Sequence, residues 1–313
     1  MTYASAGTIQ ASDYNDFAGG TAANVSSQLN TVLSTGRGNA GYGQTSVSNV
    51  VAVTNDVTAT QWATLVNGVD KVRKHQSGVS YSNLTTYSAG QTVNATNNIS
   101  GALGTAYTSR LVYTAQGTTT TGATFSPAFT LPNQLAGTTF QFSRTATFAS
   151  ADQARYFFNA GGQLNYVVIS VTNNDGTTRS ASLVTLAATN FASKRIGAQD
   201  CVARTGTGGT LNIDGTTNTG YYTSTTSNVT KTQITSTTAT YTTDVFYLYA
   251  KSNGVQGTNA DAGSIVTLGV DLVSGTQTGG FNDSISITVN HRVDVIYPST
   301  TFLANTWGSV TIA

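Results

Sequence analysis

The sequence predicts an α+β fold that is mainly β: a small N-terminal helical module followed by an antiparallel β-sandwich-like body. Three observations carry this. A complete helix-entry signal and an apolar stripe at helical spacing lie within residues 57–78. Several runs after residue 110 alternate apolar and polar side chains, with Asn/Gly turns between them. Charged residues are only 9% of the 313, against about 25% in an ordinary soluble domain, and Thr, Ser, Asn and 32 glycines take their place. The expected division is a helical module over 1–80, a linker over 81–107 and the β body over 108–313, with a possible split of the body near residue 205.

The helical module has two related entries. In Val57-Thr58-Ala59-Thr60-Gln61-Trp62, Thr58 and Gln61 form a capping box, and Val57 with Trp62 forms a hydrophobic staple. Trp62, Leu65, Val66, Val69 and Val72 then share one stripe. Lys71, Arg73, Lys74 and His75 crowd the last turn, where positive charge suits the helix dipole, and Gly78 ends the helix. Ile9-Gln10-Ala11-Ser12-Asp13-Tyr14 repeats the pattern with a poorer cap, and Phe17 takes the place of Leu65. A second stripe follows at Val25, Leu29, Val32 and Leu33. The glycine-rich stretch Gly36–Gln44 has no preceding strand and no Lys-Ser or Lys-Thr after it, so it is not a phosphate loop.

Residues 81–107 are Ser/Thr/Asn-rich and read as turns. In the body, Leu111–Thr114 and Phe125–Leu131 are short strand candidates, and Thr139–Phe148 places Phe140, Phe142 and Phe148 on one side. The central stretch Ala154–Val171 predicts a β-hairpin, with strands near 156–158 and 164–171 around Asn159-Ala160-Gly161-Gly162. Asn173-Asn174-Asp175-Gly176 is another turn, leading into a strand over Ser180–Ala187, so that 154–187 reads as a three-stranded meander. Asn212–Gly215 marks a further turn. Tyr241–Lys251, Ser264–Val273 and Ser284–Ile296 are strands, the last with Ile285, Ile287, Val289, Val293 and Val295 on one face. His291 falls on that apolar face and reads as a core or interface histidine satisfied by a hydrogen bond. The tail from Phe302 to Ile312 adds an edge strand.

Composition also bounds function. A net charge of +1 gives no electrostatic footprint for nucleic acid or an anionic membrane. No apolar run is long enough to span a bilayer. The first residues show no basic region followed by an apolar core, and so no signal peptide. Cys201, the single cysteine, reads as a small buried hydrophobe. The glycine run 206–209 has no helix after it and is no dinucleotide site. Visible acidic residues are mostly turn aspartates (Asp175, Asp214, Asp261, Asp283), not a carboxylate pair of the kind glycan hydrolysis needs. His75 and His291 sit in no triad motif. The chain is expected not to be an enzyme and to carry no metal or cofactor.

The series Ile9-x-Ala11-x-Asp13-Tyr14-Asn15, Val32-Leu33, Gly41-Tyr42-Gly43-Gln44, Val57–Trp62 and Arg73-Lys74-His75-Gln76-Ser77-Gly78 resembles the N-terminal part of virion structural proteins of large contractile-tailed bacteriophages, especially those of cyanobacteria. Arg155–Gly162 is similar to a run in the same group. The resemblance implies a tail, neck or fibre component with an attachment module over 1–80, other virion proteins and itself as partners, three copies by analogy with phage fibres, and location in the virion. It supplies no catalytic residues. A capsid decoration protein is the alternative, and a secreted adhesin binding host glycans a further one. Tyr14, Phe17, Tyr42, Trp62, Lys71, Arg73, Lys74 and His75 are the expected assembly-interface residues, because aromatic anchors exposed in a free protein dominate interface energetics.

Overall fold

The computed structural model describes residues 11–19, 28–34, 38–48, 56–82, 84–89, 91, 99–131, 138–190, 194–198, 220–236, 241–254, 263–275 and 283–313. Cys201, Ile9, Gln10, Val25, the turn at 212–215 and the glycines 206–209 lie outside the described residues.

Four helices make the N-terminal region: α1 (Ala11–Ala18), α2 (Leu29–Leu33), α3 (Ala59–Ser77) and α4 (Ile99–Thr108). The capping box opens α3. The Thr58 hydroxyl accepts from the Gln61 N–H at 3.2 Å, and Gln61 Oε1 accepts from the Thr58 N–H at 2.8 Å. Gly78 closes it in the left-handed region at φ 77°, where a side chain would be strained. All five residues of the expected stripe are buried, each contributing roughly 1.5–3 kcal/mol over exposure. The two related entries bury matching residues: Tyr14 and Phe17 of α1, like Trp62 and Leu65 of α3, are all buried. The expected linker contains α4, which packs on α3, α2 and α1. Ile99, Ala102, Leu103 and Ala106 are its buried face. Its small residues and Gly101 and Gly104 hide that helical period among turn-like neighbours.

The body contains β1 (Gln116–Thr120), β2 (Ala128–Leu131), β3 (Thr139–Thr147), α5 (Ala151–Asn159), β4 (Gln163–Asn173), α6 (Thr178–Asn190), β5 (Lys194–Ile196), β6 (Val229–Thr235), β7 (Val245–Ser252), β8 (Ile265–Val273), β9 (Ile285–Pro298) and β10 (Thr311–Ile312). Among the described residues these strands form two five-stranded antiparallel sheets. One runs β1-β9-β4-β5 with β2 also on β9, and the other runs β10-β3-β8-β7-β6. The fold is α+β, mainly β and sandwich-like. Leu164, Tyr166, Val289, Val293 and Val295 from the first sheet, and Phe142, Leu248, Leu268 and Val270 from the second, belong to one core that continues into the helical region.

The central stretch departs from the sequence reading. Residues 154–187 form helix, strand, helix. Ser150 caps α5 by accepting from the Gln153 N–H at 3.1 Å, and Ala154, Phe157 and Phe158 are buried at i, i+3 and i+4. Three aromatic residues in a row suggested a strand, but two of them satisfy helical spacing against Phe148 and Tyr221. The reversal at Asn159–Gly162 is real and is the exit from α5: the Gly162 N–H donates to the Phe157 carbonyl at 2.8 Å. The turn at Asn173–Gly176 is also present, with Gly176 at φ 71°, but leads into α6. The Thr177 hydroxyl accepts from the Ser180 N–H at 3.1 Å, starting a helix whose Leu183, Leu186 and Ala187 are buried. Arg179 at its first turn forms a buried ion pair with Asp244 at 2.9 Å. Leu111–Thr114 is no strand; Leu111 and Tyr113 are buried in a turn.

The two histidines are both in the interior. His75 Nε2 lies 3.1 Å from the Ala160 carbonyl. His291 is fully buried, yet neither ring nitrogen has a hydrogen-bond partner, which corrects the expectation of a satisfied histidine.

Burial drives both histidines down from 6.5 to about 4, opposed at His75 by the Ala160 bond and reinforced at His291 by the Arg144 charge. The native state therefore refuses protons that the unfolded chain takes up below about pH 6.5. Stability is full above that pH and falls as pH drops toward 4. With two sites the slope reaches at most about 2.7 kcal/mol per pH unit, and His75→Gln halves it in urea titrations run between about pH 6.5 and 5. Trp62, buried with its indole N–H 3.3 Å from the Thr85 carbonyl, is a second probe. Trp62→Ala costs about 3–5 kcal/mol in denaturant unfolding, and loses the single transition of a continuous core only if the helical region unfolds apart from the sheets.

Candidate assembly surface

Between Arg110 and Arg144 the chain carries no Asp, Glu, Lys or Arg. This charge-free run supplies one whole edge of the first sheet. Gln116 pairs with Pro298 and Thr120 with Val295; Phe125 bridges His291; Ala128 pairs with Thr288 and Leu131 with Ile285. Residues 116–131 thus track β9 nearly end to end. Their other side pairs with no strand among the described residues. Residues 117–121 and 123–126 are exposed.

Proteins normally guard such an edge with Lys, Pro or bulges. Here the guards are weak. There is an irregularity between Gln116 and Thr119, and Pro127 interrupts the run before β2. Gly117 and Gly122 let the edge lie close on β9: a methyl at Gly122 would run into the Val293 carbonyl oxygen, and one at Gly117 into that of Pro298. The Gly122 N–H donates to Asp294 Oδ1 at 3.1 Å, and that carboxylate also pairs with Arg292 at 2.8 Å. The carboxylate that holds the edge at Gly122 is therefore already paired.

A groove of about 610 Å³ opens at the β1 end of this edge. Gln116, Gly117 and Thr118 form one wall; Tyr297, Pro298 and the loop through Ser309 form the other. Every lining side chain is uncharged. Trp307 is buried beneath it, and the Tyr297 hydroxyl accepts from the Val310 N–H at 3.0 Å, which fixes that wall. The amides and hydroxyls of this lining can both donate and accept hydrogen bonds.

The residues expected at an interface are placed differently. Tyr14, Phe17, Tyr42, Trp62 and His75 are all buried within the chain. The Tyr14 hydroxyl donates to the Ser48 carbonyl at 3.0 Å and that of Tyr42 to the Arg110 carbonyl at 2.7 Å. These aromatics are core, because the stripe that would anchor a partner is used to join α1, α3 and α4. Lys71, Arg73 and Lys74 remain partly exposed. Lys71 reaches Gln44 Oε1 at 3.3 Å, Lys74 pairs with Asp70 at 2.7 Å, and Arg73 lies over the Tyr81 ring at 5.3 Å. Neither the edge nor the groove was among the expected residues. The signal for the edge, a long stretch without charge, was present in the sequence, but its position along β9 was not.

Among the described residues no group of three or more His, Cys, Asp or Glu side chains is placed to hold a metal, and no helix is long and apolar enough to cross a membrane. Comparison with protein-family models, curated proteins and solved structures finds no match to this chain.

The close approach at Gly122 makes a direct test of how the edge is held. Gly122→Ala is expected to lift the middle of the edge off β9 at a cost of about 1–3 kcal/mol, and hydrogen exchange at residues 119–125 should accelerate while that of β4 is unchanged.

Proposed function

We propose that this chain is a non-enzymatic virion structural protein, a tail, neck or fibre component of a contractile-tailed phage, which assembles with further copies of itself through the neutral edge 116–131. The observation that carries the reading is that edge: exposed backbone donors and acceptors along a strand with no charge to repel an identical strand. Edge pairing between copies supplies main-chain hydrogen bonds, and a second copy brings no like charge to the contact. The resemblance of the motif series at the N-terminus to that of phage virion proteins supports the setting. The partly exposed Lys71, Arg73 and Lys74 on α3 supply positive charge for docking on an acidic neighbour.

The reading is tested with the full chain and a double variant, Thr118→Lys with Thr120→Lys, which places charge on the exposed edge without touching the core. Native mass spectrometry of the unmodified chain is expected to show oligomers, and the double variant monomers with an unchanged circular dichroism spectrum. In particles produced with the variant, copy number should fall sharply. A wild-type chain that stays monomeric at high concentration, or that is absent from purified particles, overturns the proposal.

A further inference from the structure

Four polar atoms between the two sheets have no hydrogen-bond partner: Nδ1 and Nε2 of His291, Oη of Tyr166 and Nε of Arg144. They come from β9, β4 and β3, so both sheets contribute. His291 and Tyr166 are fully buried. The Tyr166 ring stacks on His291 at 5.3 Å, Phe142 lies against it at 4.8 Å, and Phe125 meets it edge-on at 5.4 Å. The Arg144 guanidinium sits 4.2 Å over the Phe125 ring and forms no ion pair among the described residues.

Orphaned buried polar groups are rare in native proteins, and each costs about 1–3 kcal/mol when left unmade. Four in one place call for a missing acceptor. Burial holds the Tyr166 phenol protonated by raising its pKa well above 10.0. His291, held down to about 4, is neutral at physiological pH and keeps one N–H. The neighbourhood therefore presents three donors: a guanidinium N–H, a phenol O–H and an imidazole N–H. A water molecule would accept from some of them, but would leave the half-buried guanidinium, whose Nε is enclosed, without a counter-charge. A negative guest meets both needs through charge-assisted bonds. Three aromatic walls limit it to something small. Phe125, at 40% exposure, and the half-buried Arg144 are the parts of the cluster that reach solvent. The Phe125 backbone is tied to His291 in both directions, at 2.8 and 2.9 Å, so access on that side depends on its ring.

We propose that Arg144, Tyr166 and His291 form a binding site for a small monoanion of the carboxylate type, held between the sheets behind Phe125.

The test uses the full chain in a buffer free of small anions, titrated with sodium formate. The readout is the imidazole nitrogen resonances. The chain has only two histidines, so His75, in a different part of the core, is the internal reference. The His291 resonances are expected to shift saturably while those of His75 stay still. Arg144→Met should weaken formate binding about ten- to a hundredfold, the range for losing one charge-assisted bond. Tyr166→Phe, which keeps the ring stack, should weaken it by about three- to tenfold. An unmoved His291, a parallel unsaturated drift of both histidines, or equal binding by a folded Arg144→Met overturns the proposal. Should Arg144→Met fail to fold, Tyr166→Phe with the wild-type titration decides alone.

Discussion

The carbonyl oxygens of Gly38, Ala40 and Gly41 point into the protein, and the joining of the helical region to the sheets depends on their being met by donors. A buried backbone carbonyl left unpaired is costly. Arg155 Nη1 reaches Gly38 and Ala40, both at 3.1 Å, and Asn159 Nδ2 reaches Gly41 at 3.0 Å. The Tyr222 hydroxyl lies 2.9 Å from the Gly38 carbonyl and 2.6 Å from Asn159 Oδ1, and donates its proton to one of them at a time. Arg155 and Asn159 are four residues apart, so a helix sets them side by side, one turn apart on one face, whereas a strand would hold them about 13 Å apart. Gln44 completes the seam. Its side-chain amide exchanges hydrogen bonds with the Ala304 backbone, at 2.9 Å as donor and 2.7 Å as acceptor, much as a strand peptide would. The glycine-rich loop thus serves the protein's own side chains, not a phosphate.

That seam also explains what the sequence could and could not disclose. The α3 cap, the strands at 264–273 and 284–296 and the sandwich-like class follow from local rules: capping chemistry and period-two alternation. The identity of α5 does not. Tyr156-Phe157-Phe158 has strand propensity, and it is tertiary demand, from the loop carbonyls on one side and Phe148 and Tyr221 on the other, that selects helix. α6 is similar: Leu183, Leu186 and Ala187 have helical spacing, but an Asn-Asp-Gly turn before them suggested a hairpin. The burial of the expected interface aromatics is hidden for the opposite reason. Large aromatic side chains look alike in a sequence whether they face a partner or the chain's own core, and Tyr14, Tyr42 and Trp62 face the core.

Scarcity of charge links the surface to the interior. Two buried cations have acidic partners: Arg155 has Asp152 and Arg179 has Asp244. The half-buried Arg144 has no ion pair among the described residues, and it stands at the end of the charge-free run that forms the edge on β9. The same composition that leaves this edge unguarded leaves the polar cluster behind Phe125 without an acidic side chain to complete it. Both are places where the described residues do not finish the hydrogen bonding.

The position of β9 in the chain has a consequence for biosynthesis. β1, β2 and β4 all pair with β9, and β3 pairs with β8. Residues 116–173 therefore leave the ribosome long before residues 265–298 exist to receive them. Such distant pairing makes folding slow. During that interval the uncharged stretch from 111 to 143 is extruded without either the strand that will cover it or a charge that would keep neighbouring nascent chains apart. On a polysome, identical segments emerge side by side, so the folding of each chain competes with premature contacts between unfinished ones. Slow translation through the last fifty or so codons lengthens the interval in which that competition runs.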